Sequence, residues 1–121
     1  MANEGTFGNS LSLVKDGAKI RKAMAPTLFD VASSVSVSGV QSIGTSEEAI
    51  DMGEVTAPGM AWFHNLDSTN YVEIRPGTGA ADLVRLNAGE TCQFRFAADC
   101  TAPYAIANTA AVKVEYLILS V

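Results

Sequence analysis

Hydrophobic and polar residues alternate with a period of two along most of this chain. From about Thr6 to Lys15, Leu11 and Leu13 alternate with Ser10 and Ser12. This is the pattern of a half-buried strand, because successive side chains of an extended backbone point to opposite faces. Asp16-Gly17 follows, a dipeptide suited to a two-residue hairpin turn in which both central residues need positive φ. Ala18 to Ala23 then returns as a second strand, with Lys19, Arg21 and Ala23 on one face and Ala18, Ile20 and Lys22 on the other. In the run Thr27 to Val37, Val35 and Val37 alternate with serines, and Gly39 is expected to break the run before Val40 and Ile43 carry it to Gly44. Ser46 to Met52 has acids where a helix start favours them. Gly53 closes it before two turns can form, so a turn or a strand is expected.

The middle of the chain reads as strand, turn, strand. Gly59 to Leu66 places Met60, Trp62 and His64 on one face and Ala61, Phe63 and Asn65 on the other. Asp67-Ser68-Thr69-Asn70 is a polar turn. Tyr71 to Arg75 follows with Val72 and Ile74 inward. Leu83 to Leu86, a turn at Asn87-Ala88-Gly89, and Glu90 to Phe96 with Cys92, Phe94 and Phe96 inward repeat the design. Pro103 to Ala107 reads as a short edge piece. In the final strand, Ala111 to Val121, Val112, Val114, Tyr116 and Ile118 share a face, and Lys113 and Glu115 share the other with Leu117 and Leu119.

About eight strands separated by turns predict an all-β chain, an antiparallel two-sheet β-sandwich of which the jelly roll is one form. The 121 residues fit a single domain, 1–121, with residues 1–10, small and polar with Phe7 as the apolar exception, as an extended N-terminal arm. Hydrophobic residues are 48% and charged residues 17%, enough for a packed core and too little charge for a disordered chain.

Charge adds an asymmetry. The net charge is −5, which disfavours binding to phosphate backbones, so no nucleic-acid partner is expected. Met1 to Ala25 nevertheless carries Lys15, Lys19, Arg21 and Lys22 against Glu4 and Asp16. This basic end is either a solvated hairpin or a means of orienting neighbouring subunits against the acidic remainder. The N-terminus has no basic n-region followed by an apolar stretch, and no segment approaches a membrane span, so neither a secretory signal nor a membrane partner is expected.

Candidate chemistry is sparse. Catalytic, cofactor and metal residues are all expected to be absent. His64 is the one histidine and lies mid-strand beside Trp62; a triad also needs a nucleophile and a carboxylate. Cys92 and Cys100 fit neither a zinc spacing nor a redox pair; free thiols are expected, with a disulfide between them as the alternative. Asp67, Asn70 and Asp82 are the residues to inspect for a calcium loop. Trp62, Tyr71 and Tyr104 are candidates for stacking a sugar. The final strand is more informative. Apolar residues on both faces at Leu117, Ile118 and Leu119 imply a covering surface, from this chain or another. Phe7, Leu117, Leu119 and Val121 are therefore the candidate subunit-interface residues.

Several segments together resemble small β-sandwich virion proteins of tailed bacteriophages. They are Val40 to Thr45, Ala49 to Gly53, Pro58 to Asp67 and Asn70 to Ile74, with Leu86 to Glu90, Phe94 to Phe96, Pro103 to Ala105 and Glu115 to Ile118. The resemblance spans roughly residues 40 to 119 and leaves out the N-terminal quarter. It implies a capsid-surface decoration or cementing protein, or a tail or fibre component. The expected form is a symmetric homo-oligomer, with a trimer favoured, made in the host cytoplasm and located in the virion. It implies capsid or tail proteins as partners and carries over no catalytic residue. A carbohydrate- or receptor-binding β-sandwich is the alternative, and an enzyme of unfamiliar design is the third reading.

Overall fold

A computed structural model describes residues 4–31 and 33–121. The described residues are all β, with ten strands and no helix, so none is a helix long and apolar enough to cross a membrane. The chain divides into two compact units, Met1–Ala32 and Ser33–Val121.

The first unit is a long hairpin of β1 (Gly5–Lys15) and β2 (Ala18–Phe29). Its turn is the Asp16-Gly17 pair, with φ of 49° and 84°. Both central residues are left-handed, as a two-residue turn that matches the right-handed strand twist requires. The second strand continues beyond the expected Ala23, through Pro26, to Phe29. It does so by a bulge: the two steps from Phe7 to Asn9 stand opposite three from Met24 to Thr27. The irregularity accommodates Pro26, which has no N–H to give a ladder. The Phe29 ring lies over Gly5, where any side chain would collide with it, and its centroid is 5.8 Å from that of Phe7. Of the expected N-terminal arm, residues 5–10 are paired strand; Met1, Ala2 and Asn3 lie outside the described residues.

The second unit contains β3 (Ser36–Ile43), β4 (Glu48–Ala49), β5 (Pro58–Asn65), β6 (Val72–Arg75), β7 (Val84–Leu86), β8 (Thr91–Arg95), β9 (Tyr104–Ala107) and β10 (Val112–Ser120). They form two four-stranded antiparallel sheets, ordered β3-β10-β5-β8 and β4-β9-β6-β7. The pairs β3·β10, β4·β9, β5·β8 and β6·β7 are those of one long hairpin folded over on itself, and they alternate between the sheets. This is the jelly-roll order, an eight-stranded sandwich.

Two expectations are corrected. Gly39 does not break its strand: β3 runs through it, paired with Tyr116, because a sheet ladder uses backbone groups and tolerates a missing side chain. The Pro103–Ala107 segment is not an edge piece: β9 lies between β4 and β6, and its Ala105 and Ala107 are buried. The short Ser46–Met52 segment, expected as a turn or a strand, contributes the two-residue strand β4.

The core lies between the two sheets. Inward residues of β10 (Val112, Val114, Tyr116, Ile118) and of β5 (Ala61, Phe63, Asn65) are all buried. Phe63 is fully buried, with ring centroids of Phe94, Phe96 and Tyr116 at 6.0–6.4 Å. Opposite it, Ile74 and the small Ala105 leave room for these rings. The gap lined by Phe63, Tyr116, Ile74 and Ala105 has no space for a water molecule. Among the described residues, Asn65 is the one buried polar side chain of the core. Its Nδ2 donates to the carbonyls of Asn70 (2.9 Å) and Leu86 (3.0 Å), and its Oδ1 accepts the Asp67 N–H (2.8 Å). It thus ties β5 in one sheet to the end of β7 in the other, with its hydrogen-bonding capacity used.

Candidate interaction surfaces

The hairpin is amphipathic. Residues opposite one another in an antiparallel pair share a face, and Leu13 stands opposite Ile20, Leu11 opposite Lys22, and Asn9 opposite Met24. One face therefore gathers Leu11, Leu13, Ile20 and Met24, interrupted by Lys22 between Ile20 and Met24 and by Asn9 opposite Met24, with Lys15 next to the turn. Alternation along β1 adds Phe7, which is half-buried. The other face carries Thr6, Ser10, Ser12, Lys19 and Arg21, with Val14 and Leu28 as exposed apolar exceptions. The apolar face is uncovered: Leu11 is 80% exposed, Ile20 58%, Leu13 49% and Met24 47%. Of the interface residues expected from the sequence, only Phe7 belongs to this set. The signal for the rest was present, because a two-residue Asp-Gly turn fixes the register and so decides which side chains meet across the ribbon.

The outer face of the β3-β10-β5-β8 sheet is the second such surface. Leu117 stands between Ser38 on β3 and Trp62 on β5, and Glu115 between Val40 and His64. Ile118 is fully buried, whereas Leu117 is 39% and Val40 55% exposed. Leu119 and Trp62 are half-buried. Val121 lies just beyond the strand, 56% exposed, with its N–H on the Ala57 carbonyl. Apolarity on both faces of β10 therefore has two origins. The inner residues make the core, and the outer ones form an incompletely covered patch. Trp62 and His64 rings are 5.7 Å apart, and His64 Nδ1 is 3.6 Å from Glu115 Oε1, an ion pair only when the imidazole is protonated.

The other sheet differs. Its outer side is held by polar contacts internal to the unit. Arg75 bonds Glu47 and Asp82, both at 2.6 Å. Glu47 also accepts from the Thr78 hydroxyl (2.7 Å) and the Gly79 N–H (3.0 Å). The Thr78 hydrogen bond first, and then Arg75, hold the Glu47 carboxyl below its ordinary range. Arg85 lies 3.9 Å from the Tyr71 ring centroid and bonds Glu73. Tyr71 and Tyr104 belong to this side, Tyr104 being paired with Arg75 and Ala49, whereas Trp62 is on the other sheet. The structure therefore does not gather the three aromatics into one stacking platform.

The calcium candidates have other work. Asp67 accepts the Thr69 and Asn70 N–H groups, which lower its pKa, and Asp82 is bonded to Arg75. No cluster of three His, Cys, Asp or Glu suited to a metal occurs among the described residues. Cys92 and Cys100 are free thiols. Burial pushes Cys92 up to about 11 and raises Cys100, so neither is a ready thiolate. The Cys100 thiol donates to the Pro76 carbonyl (3.1 Å).

In comparisons with known proteins, the chain matches no family model, no curated protein and no solved structure.

Proposed function

We propose that the chain is a structural subunit of a bacteriophage particle, a capsid-surface decoration or cementing protein that oligomerises and docks on the shell. The observation that carries this reading is the pair of exposed apolar surfaces, one on the hairpin and one, incompletely covered, on the β3-β10-β5-β8 sheet of the jelly roll. Exposed apolar faces of this kind mark interaction sites. The resemblance over residues 40 to 119 supplies the phage setting, since a fold alone does not assign a role. The reading assigns no catalysis. Its mechanism is burial of apolar surface at interfaces, with charge selecting orientation.

The test is the mass of the purified protein in solution together with its binding to empty capsid shells. A symmetric oligomer that sediments with shells is expected. A monomer indifferent to shells overturns the reading, and an oligomer that binds tails instead moves it to the tail or fibre.

A further inference from the structure

We infer that the open edge of β1 pairs antiparallel with the same edge of a second copy of this chain, joining two hairpins into a four-stranded sheet ordered β2-β1-β1-β2. The inference rests on the reading of the chain as an assembling subunit, and it names one of the contacts.

The edge is open in this chain. Among the described strands, β1 has β2 as its one hydrogen-bonded neighbour, and Gly8 to Lys15 are all exposed. The turn decides which backbone groups are left over. In a two-residue turn of this kind the flanking residues, Lys15 and Ala18, exchange both hydrogen bonds, and alternate residues of β1 then do the same with β2. Leu13 and Leu11 therefore bond Ile20 and Lys22, while Ser10, Ser12 and Val14 direct their N–H and C=O groups to the open side. A row of such groups is a template for another strand.

Charge and proline select β1 over the other edges. From Gly5 to Val14, β1 holds no charged residue and no proline, the residues that keep edges apart, whereas β2 carries Lys19, Arg21, Lys22 and Pro26. Pairing β2 with its copy would set those cations side by side. With β1 at the centre, β2 and its copy stand three strand spacings apart, about 14 Å, beyond the screening length of about 8 Å at physiological salt. The sandwich offers poorer edges. β8 has five residues, β7 three and β4 two. β3 has its Gln41 side chain tied to the Ala49 carbonyl and the Asp51 N–H.

The edge is self-complementary in one register. The regular part of β1 runs from the bulge to the turn, Asn9 to Lys15, and Ser12 is its midpoint. A two-fold axis at Ser12 pairs Ser12 with its copy and Ser10 with Val14, the residues whose backbone groups are free, for about six main-chain hydrogen bonds. Leu11 then stands opposite Leu13 at the non-hydrogen-bonded positions, where side chains approach most closely, and Lys15 meets Asn9. The exposed leucines gain apolar partners, and no like charges are opposed. An axis at Ser10 or Val14 keeps the backbone bonds but sets a leucine against Asn9 or Lys15. The two-fold contact uses the same edge on both copies, so a second copy is the partner that fits it.

Ser12→Pro tests the edge, because it removes an outward N–H and leaves the bonds of Leu11 and Leu13 to β2 in place. The two-fold doubles the loss, so self-association followed by sedimentation should weaken at least about tenfold, with the Leu11 and Leu13 amides still protected from exchange. Nitroxides on Ser12→Cys and, separately, on Arg21→Cys, which stands opposite Ser12 on β2, test the strand order; burial makes the native thiols poor competitors. Dipolar coupling between copies should give a shorter distance for Ser12 than for Arg21. A shorter distance for Arg21, no coupling between copies, or unchanged association of Ser12→Pro overturns the inference. An oligomer that binds shells yet shows one of these results leaves the proposed function standing and removes only this contact, whereas a monomer indifferent to shells removes both.

Discussion

The hairpin and the jelly roll use the same alternating pattern to opposite ends. In the jelly roll each inward residue meets another sheet: Phe63, Ile74, Val112 and Ile118 are all fully buried. In the hairpin, Leu13 stands opposite Ile20 across the ribbon, yet both stay about half exposed and Leu11 is 80% exposed. A strand pattern establishes that one face is apolar. It does not establish what lies on that face, and the second layer decides whether the pattern makes a core or an interface.

Substitutions should separate the two units in order of effect. The largest loss is expected for Phe63→Ala, which empties a site bounded by three aromatic rings: about 3–5 kcal/mol, read as a fall in the denaturation midpoint of the sandwich. Asn65→Leu should come next, at about 2–4 kcal/mol, because it leaves the Leu86 and Asn70 carbonyls and the Asp67 N–H without their partner. An equal midpoint for Asn65→Leu and wild type would remove Asn65 as the tie between sheets.

Gly17→Val should cost the hairpin about 1–2 kcal/mol, since a β-branched residue is strained at a φ of 84°. Hydrogen exchange should quicken at β1 and β2 amides and stay unchanged in β5 and β10. Equal acceleration in both units would contradict their separateness.

A smaller effect is expected on acidification. Glu47 and Asp67 have folded pKa values below their ordinary 4.5 and 3.8. Their contribution is present above those values and is lost as pH falls through the lower folded ones. Denaturation followed from pH 6 downward should show stability decreasing below about pH 4.5, and Thr78→Val should weaken that dependence by removing the hydrogen bond that lowers Glu47 most. The least effect on the folded chain is expected for Leu13→Ser with Ile20→Ser, within about 0.5 kcal/mol because both are exposed, while self-association is lost.

How much was legible follows from where the information resides. The hairpin turn could be read because Asp16-Gly17 encodes its own geometry, and the inward faces of β5, β6, β8 and β10 because alternation alone marks them. The ends of β2 and the continuity of β3 through Gly39 were not legible. A bulge opposite Pro26 and a ladder supplied by Tyr116 depend on the partner strand, which local sequence does not reveal. The interior position of β9 was hidden for the same reason, as strand order is a long-range property. Of the candidate surface, Leu117 and Leu119 were visible as a break in polarity, while the hairpin's apolar face emerges only when its two strands are read together. The separation of Trp62 from Tyr71 and Tyr104 follows from which strands share a sheet.

The central claim is that the hairpin's apolar face is completed by another copy. Sedimentation equilibrium of the wild-type chain beside the Leu13→Asp, Ile20→Asp variant tests it most directly. The account predicts a wild-type mass that is a multiple of 12.7 kDa and a variant that sediments as a folded single chain. A wild-type protein of 12.7 kDa at every concentration, or a variant with unchanged mass, would contradict it.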